Sequence, residues 1–251
     1  MHFHRLSWRT VALTIASGTL LSGAPVRANS VSVQFSLAGL PAATGLIQAI
    51  DLTGEVASAS LIAGLPNDSV SVTVDTSTNQ GIVQASSPGL YAAPVSGGSL
   101  GSPTYWSAPY FSTGVGTITL VFSAPQTYFG LLWGSVDSGA TSNTVTFANV
   151  VDGTVTPVAT IDGDDIITAT GSTSADGFQG YGGSYYVLLN DTIGTFNEII
   201  LGGTQVSFES ADFEYADSQE SLPVPEPAGI ALFGLGAAGL LALRRTRTAV
   251  A

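Results

Sequence analysis

From Val31 onward apolar and polar residues alternate, with Val31, Val33, Phe35 and Leu37 on one side and Ser32, Gln34 and Ser36 on the other. A period of two belongs to a strand with one face buried. Runs of the same kind recur at residues 70–74, 81–84, 117–122, 128–133, 144–148, 155–161, 184–189, 198–201 and 205–208. Turn-forming clusters such as Pro66-Asn67-Asp68 and Ala124-Pro125-Gln126 separate them. About ten strands with frequent turns predict a mainly β fold, an antiparallel β-sandwich or jelly roll. One such domain fills residues 29–217, followed by a linker over 218–224. Within it, 40–65 has room for a short helix, and the Gly, Ser and Pro of 86–109 read as a long loop.

The two ends are patterned differently. Arg5 and Arg9 precede an apolar run over 11–21, and small residues then lead to Val26-Arg27-Ala28. That order predicts a secretory signal over 1–28, cut after Ala28 by signal peptidase. An exported domain without cysteine must be held by its core alone. At the other end, the prolines of Leu222-Pro223-Val224-Pro225-Glu226-Pro227 prevent a helix until 228–243, which holds no charge and leads into Arg244-Arg245-Thr246-Arg247. A helix over 228–243 would be about 24 Å long against roughly 30 Å for a bilayer core, so it would span with help from its flanks. Arginines held on the cytoplasmic side would leave the domain on the outer side.

Pro225-Glu226-Pro227, the glycine-bearing apolar segment and Arg244, Arg245 and Arg247 together resemble the PEP-CTERM sorting signal of Gram-negative bacteria, over 225–251. The resemblance implies transient inner-membrane insertion through a C-terminal transmembrane helix. It also implies removal of the tail near Pro-Glu-Pro by an exosortase, an integral-membrane cysteine peptidase, with delivery to the envelope surface or extracellular matrix. Tyr128-Phe129-Gly130-Leu131-Leu132-Trp133-Gly134-Ser135-Val136-Asp137, with Asn143-Thr144-Val145-Thr146-Phe147 after it, is similar to the central motif of a group of exosortase-dependent surface proteins. Phe196-Asn197-Glu198-Ile199-Ile200-Leu201 and Phe208-Glu209-Ser210 resemble that group's closing strands. Its Asp-Asn pair is replaced here by Ala211-Asp212. What this second likeness implies is location and fold.

Charge then narrows the chemistry. All 18 acidic residues lie between Asp51 and Glu226, and no Lys, Arg, His or Cys lies between Asn29 and Glu226, so that stretch has a formal charge of −18. A serine nucleophile would lack its usual base, zinc or copper its usual ligands, and a phosphate its clamp. Nucleic acid is excluded as a direct partner by repulsion. The chain therefore reads as non-enzymatic. The carboxylate chemistries weighed against this are a lone Asp75-Thr76-Ser77, which echoes half of an aspartic-protease dyad, and a glycosidase-like acid pair.

The cofactor reading is none, with calcium as the one cation the sequence suits, through Asp162, Asp164 and Asp165 in Asp162-Gly163-Asp164-Asp165. Ile166 breaks the calcium-loop pattern, and a solvated acidic turn is the favoured reading. Asp212, Glu214, Asp217 and Glu220 read as a solvated linker. Trp106, with Tyr105 and Tyr110, is the best platform for stacking a sugar, although Trp106 is weighted towards the core; Trp133 lies in a strand and reads as core. The functional expectation is a surface or matrix protein with a structural or adhesive role among exopolysaccharide. The alternatives are a calcium-assisted carbohydrate-binding module and, third, a carboxylate-dependent hydrolase.

Overall fold

The computed structural model describes residues 26–28, 31–36, 47–53, 61–65, 69–74, 81–99, 101–171, 182–204 and 207–218. The bulk of the expected signal segment, Asp75-Thr76-Ser77 and the whole expected sorting segment lie outside the described residues. The strands in chain order are β1 (Val26–Ala28), β2 (Val31–Ser36), β3 (Gln48–Ile50), β4 (Leu61–Leu65), β5 (Val70–Val74), β6 (Gly81–Val83), β7 (Val95–Ser99) and β8 (Ser102–Tyr105). They continue with β9 (Tyr110–Ser112), β10 (Gly116–Gln126), β11 (Tyr128–Trp133), β12 (Thr144–Val151), β13 (Thr154–Asp162), β14 (Tyr185–Asp191), β15 (Phe196–Gly203) and β16 (Glu209–Ala216). A helix, α1 (Gly163–Thr170), follows β13.

All pairings are antiparallel. One sheet runs β1-β2-β14-β11-β16-β9-β6, with β3 also on β16; the other runs β13-β12-β15-β10-β5-β4; β7 and β8 form a separate hairpin. The two sheets share one apolar core, in which Phe122 of β10 meets Phe129, Phe196 and Tyr215 at ring-centre distances of 6.4, 5.9 and 5.0 Å. Burying each such side chain contributes about 1.5–3 kcal/mol, which is how a domain without cysteine is held.

The alternation in β2 and β5 matches strands with one face in that core. β11 and β14 instead are buried at every residue, because both faces of their sheet are covered. On the outer face, Leu132, Tyr186, Tyr110 and Ala211 pack with Ala93, Val83, Tyr91 and Trp106. The segment expected as a long loop therefore contains the β7–β8 hairpin and closes over the sheet. Strands β3 and β4 lie in the stretch where a helix had room, of which 40–46 and 54–60 lie outside the described residues. Two other expectations change. Of the strand expected at 205–208, residues 205–206 lie outside the described residues and 207–208 are not in a strand; the strand that follows is β16 at Glu209–Ala216. Asp212 and Glu214, expected in a solvated linker, belong to that strand, and Glu214 is buried.

The expected acidic turn is the start of α1. Asp162 is its N-cap: the Asp165 N–H donates to Asp162 Oδ1 at 3.0 Å, and the Asp162 N–H donates to Asp165 Oδ2 at 3.2 Å. These reciprocal bonds satisfy two backbone donors that a helix start leaves open. Gly171, at φ +66°, ends the helix with its N–H on Ile167 O.

Register fixes where the chain enters and leaves. Val31 pairs with Asp191, while Tyr128 pairs with both Asn190 and Ala216. The first residue of β2 and the last of β16 thus sit at the same end of one sheet, three strand spacings or about 14 Å apart. The Val150–Val155 hairpin and the turn from Asp191 to Phe196 share this end, here termed the tail pole. The opposite, far pole holds the loop from Gly134 to Asn143 and the start of α1. Cleavage after Ala28 would remove all of β1 and leave β2 as the edge of its sheet.

Candidate functional site

The far pole is built on a buried polar loop. After β11 the chain turns at Gly134, where a Cβ would lie 2.7 Å from Glu209 O and 2.8 Å from the Pro94 side chain. Ser135 follows at φ +50°. Its hydroxyl donates to Asp137 at 3.2–3.3 Å, and Asn143 Nδ2 donates to Asp137 Oδ2 and to Ser135 O, both at 3.1 Å. Asp137 and Asn143 are fully buried. The N–H of Gly163 donates to Ser142 Oγ at 2.7 Å and to Asn143 O at 3.1 Å, joining the loop to α1. A side chain at Gly163 would collide with the Asp137 carbonyl. Buried polar groups need such partners, so these residues lock a loop shape.

Beside the loop, Glu209 opens β16 beneath the outer segment that contains β7 and β8. Burial pushes its carboxyl up to about 7, with nearby Asp137 adding to the rise and bonds from Ser207 and the Ala92 N–H opposing it. The Gly134 N–H donates to Glu209 O at 2.8 Å. Glu209 thus ties both the Gly134 loop and the outer segment to the sheet. A few residues on, Gly130 faces Glu214 while Leu132 faces Ala211, so the intervening residues form a bulge, with Asp212 at φ +50°. Asp tolerates this left-handed conformation better than most residues. Burial raises Asp212, and burial together with Asp212 pushes Tyr186 up to about 12.

The aromatic candidates separate. Tyr110 is wholly buried, with its hydroxyl on Ala85 O at 2.6 Å, and presents no ring face to solvent. Trp106 is half-buried on the outer apolar cluster, its Nε1 donating to Pro109 O at 3.3 Å. Tyr105 is 49% exposed at the end of β8. Trp133 lies in the core against Phe208 at 4.7 Å.

The calcium candidates are engaged with backbone. Asp162 and Asp165 form the capping box, and Asp164 accepts from the Gly139 N–H at 3.2 and 3.3 Å. A cation there would compete with those donors. Among the described residues, no group of three or more His, Cys, Asp or Glu is arranged to hold a metal ion. No helix among them is long and apolar enough to cross a membrane; residues 228–243, where one is expected, lie outside them.

The association of Glu209, Asp137 and Asn143 is not legible in the sequence. They lie within or beside the motif segments, but their meeting depends on strand pairing. Ala28 closes β1, and Pro225, Glu226, Pro227, Arg244, Arg245 and Arg247 lie outside the described residues. A family model, the PEP-CTERM protein-sorting motif, matches residues 223–246. It takes in the Pro-Glu-Pro triplet, Arg244 and Arg245, and stops one residue before Arg247. The motif implies exosortase-dependent processing and direction to the envelope. No curated protein and no solved structure matches the chain.

Proposed function

We propose that this PEP-CTERM sorting-domain protein is a non-catalytic component of the cell surface or extracellular matrix, with a structural or adhesive role among exopolysaccharide. The observation that carries the reading is the sorting motif at 223–246, placed after an antiparallel β domain. In this reading the signal segment is removed after Ala28, and residues 228–243 insert in the inner membrane of a Gram-negative cell. The exosortase then cuts near Pro225-Glu226-Pro227 and releases the domain outward. The absence of Lys, Arg, His and Cys between Asn29 and Glu226 supports a passive role, since the usual bases and nucleophiles are missing. Intact mass of the protein recovered from the envelope tests the reading. It should lack residues 1–28 and everything beyond about residue 227; a product that retains the tail would overturn it.

A second reading, carbohydrate binding aided by calcium, draws on Tyr105, exposed beside the half-buried Trp106. Bound ligand raises melting temperature by mass action. Melting with and without calcium across a polysaccharide panel should give a shift that Trp106→Ala removes. A flat response retires this reading and leaves the structural one.

A further inference from the structure

Three of the six exposed large apolar side chains among the described residues lie at the end where the chain enters and leaves. Ile193 is 84% exposed, Val151 67% and Val155 47%. Ile193 lies in the turn between β14 and β15, and the two valines flank the β12–β13 hairpin turn, all at the tail pole.

These side chains stand on rigid supports. Asp152 at φ +50° and Gly153 at φ +77° form a tight two-residue hairpin turn. The Val150 N–H donates to Asn197 Oδ1 at 2.7 Å, Asn197 Nδ2 donates to Val150 O at 3.2 Å, and Asn149 Nδ2 donates to Thr195 O at 2.9 Å. Hairpin and turn are thereby clamped together. Asp191 Oδ1 accepts from the N–H groups of Ile193 and Gly194 at 3.1 and 3.0 Å, which sets the shape of the turn carrying Ile193.

We propose that this pole is a membrane-docking surface, on which Ile193, Val151 and Val155 meet the lipid while the sorting segment is inserted. The proposal rests on the reading that residues 228–243 enter the bilayer. Residue 218 is the last described, at the same pole, and residues 219–227 reach at most about 30 Å at 3.3–3.6 Å each. The pole must then stay near the bilayer, with the far pole turned away. Three side chains give weak contact alone, but the tether supplies an effective concentration on the order of millimolar. The exposed charges alongside, Asp152 and Asp217, are acidic and favour zwitterionic over anionic lipid.

The chain contains no cysteine, so single labels can be placed cleanly. The protein is produced by export in a host without exosortase, which retains the tail, and reconstituted into phosphatidylcholine vesicles with or without nitroxide lipid. Ile193→Cys carries an environment-sensitive fluorophore; Val115→Cys, 59% exposed in the wild type at the far pole, is the control. The expected result is several-fold stronger quenching at 193 than at 115, reduced when Val151 and Val155 are changed to Ser. Equal quenching at both positions in vesicle-bound protein overturns the docking surface and leaves the tail reading intact. Failure of the protein to float with vesicles overturns the tail reading, and the docking surface with it. Protection of label 193 in native membranes but not in vesicles overturns the lipid surface in favour of a protein partner.

Discussion

The two poles use polar and apolar residues in opposite ways. At the far pole Asp137 and Asn143 are fully buried, Asn143 Nδ2 bonding to Asp137 and to Ser135 O, and Gly163 is fixed by a neighbouring carbonyl. At the tail pole Ile193 and Val151 are held out in water by turns braced by the Asp191 and Asn197 side chains. A buried polar group withdraws capacity from binding and spends it on shape, whereas an exposed apolar group contributes little to folding and is available for contact. The difference is between buried polar groups that fix a loop at one end and exposed apolar groups carried on a braced hairpin and turn at the other. It also explains why motif residues that look chemical, Ser135 and Asp137, read better as a loop lock.

The strongest way to break this contrast is at Gly163. Gly163→Ala drives a methyl into the Asp137 carbonyl, and the loop and α1 cannot both keep their places. Overpacking of this kind costs about 3 kcal/mol or more, which should appear as a large fall in urea midpoint or failure to fold. Next comes Asn143→Ala, which leaves the Asp137 carboxylate short of a donor in a closed site. The expected loss is about 2–3 kcal/mol. Retention of full stability by either variant would mean that the buried polar loop contributes no more to the fold than the exposed residues of the tail pole do.

Glu209 sharpens the contrast through pH. Burial raises its pKa from 4.5 to about 7, so the folded chain holds this proton more tightly than the unfolded chain does. The added stability is complete below about pH 4.5 and disappears as pH rises through about 7, a change of up to about 3 kcal/mol. Asp137 and Tyr110 are the titratable neighbours coupled to it. Asp212, Glu198 and Asp165 are raised too, and push in the same direction. Melting temperature should therefore climb as pH falls from about 7 to about 5. Glu209→Gln should flatten most of that climb, and an unchanged slope would show that the carboxyl is not sealed beneath the outer segment.

Legibility in the sequence followed locality. β2, β5 and β11 were readable because a period of two, or an unbroken apolar run, lies within one short segment. β16 is hard to place because Asp212 and Glu214 look solvated in sequence and a bulge at Asp212 breaks the alternation. α1 was missed because eight residues with two isoleucines and two threonines have weak helix propensity. Its signal was still present in the Asp162-to-Asp165 capping spacing and in Gly171. Of the site candidates, Trp133 was recognisable as core from its strand, but the burial of Tyr110 depended on the outer segment folding over the sheet. The joining of Asp137, Asn143 and Gly163, and the shared position of Val31 and Ala216, arise only from strand register, which no local pattern carries.

The smallest effect is expected where the apolar groups are most visible. Ile193→Ser and Val151→Ser remove side chains that touch little of the core, so each should change stability by no more than about 0.5 kcal/mol. The supporting bonds at this pole come from Asp191, Asn149 and Asn197 rather than from the exposed residues themselves. Asn197→Ala is therefore the informative companion: it leaves the Val150 N–H and C=O without their partners and unclamps the hairpin, at about 1 kcal/mol or more. If denaturant melts rank Asn197→Ala well below Ile193→Ser, the exposed residues are carried by the fold without contributing to it. If Ile193→Ser is as costly as Asn197→Ala, Ile193 is packing against the domain, and the tail pole is built like the far one.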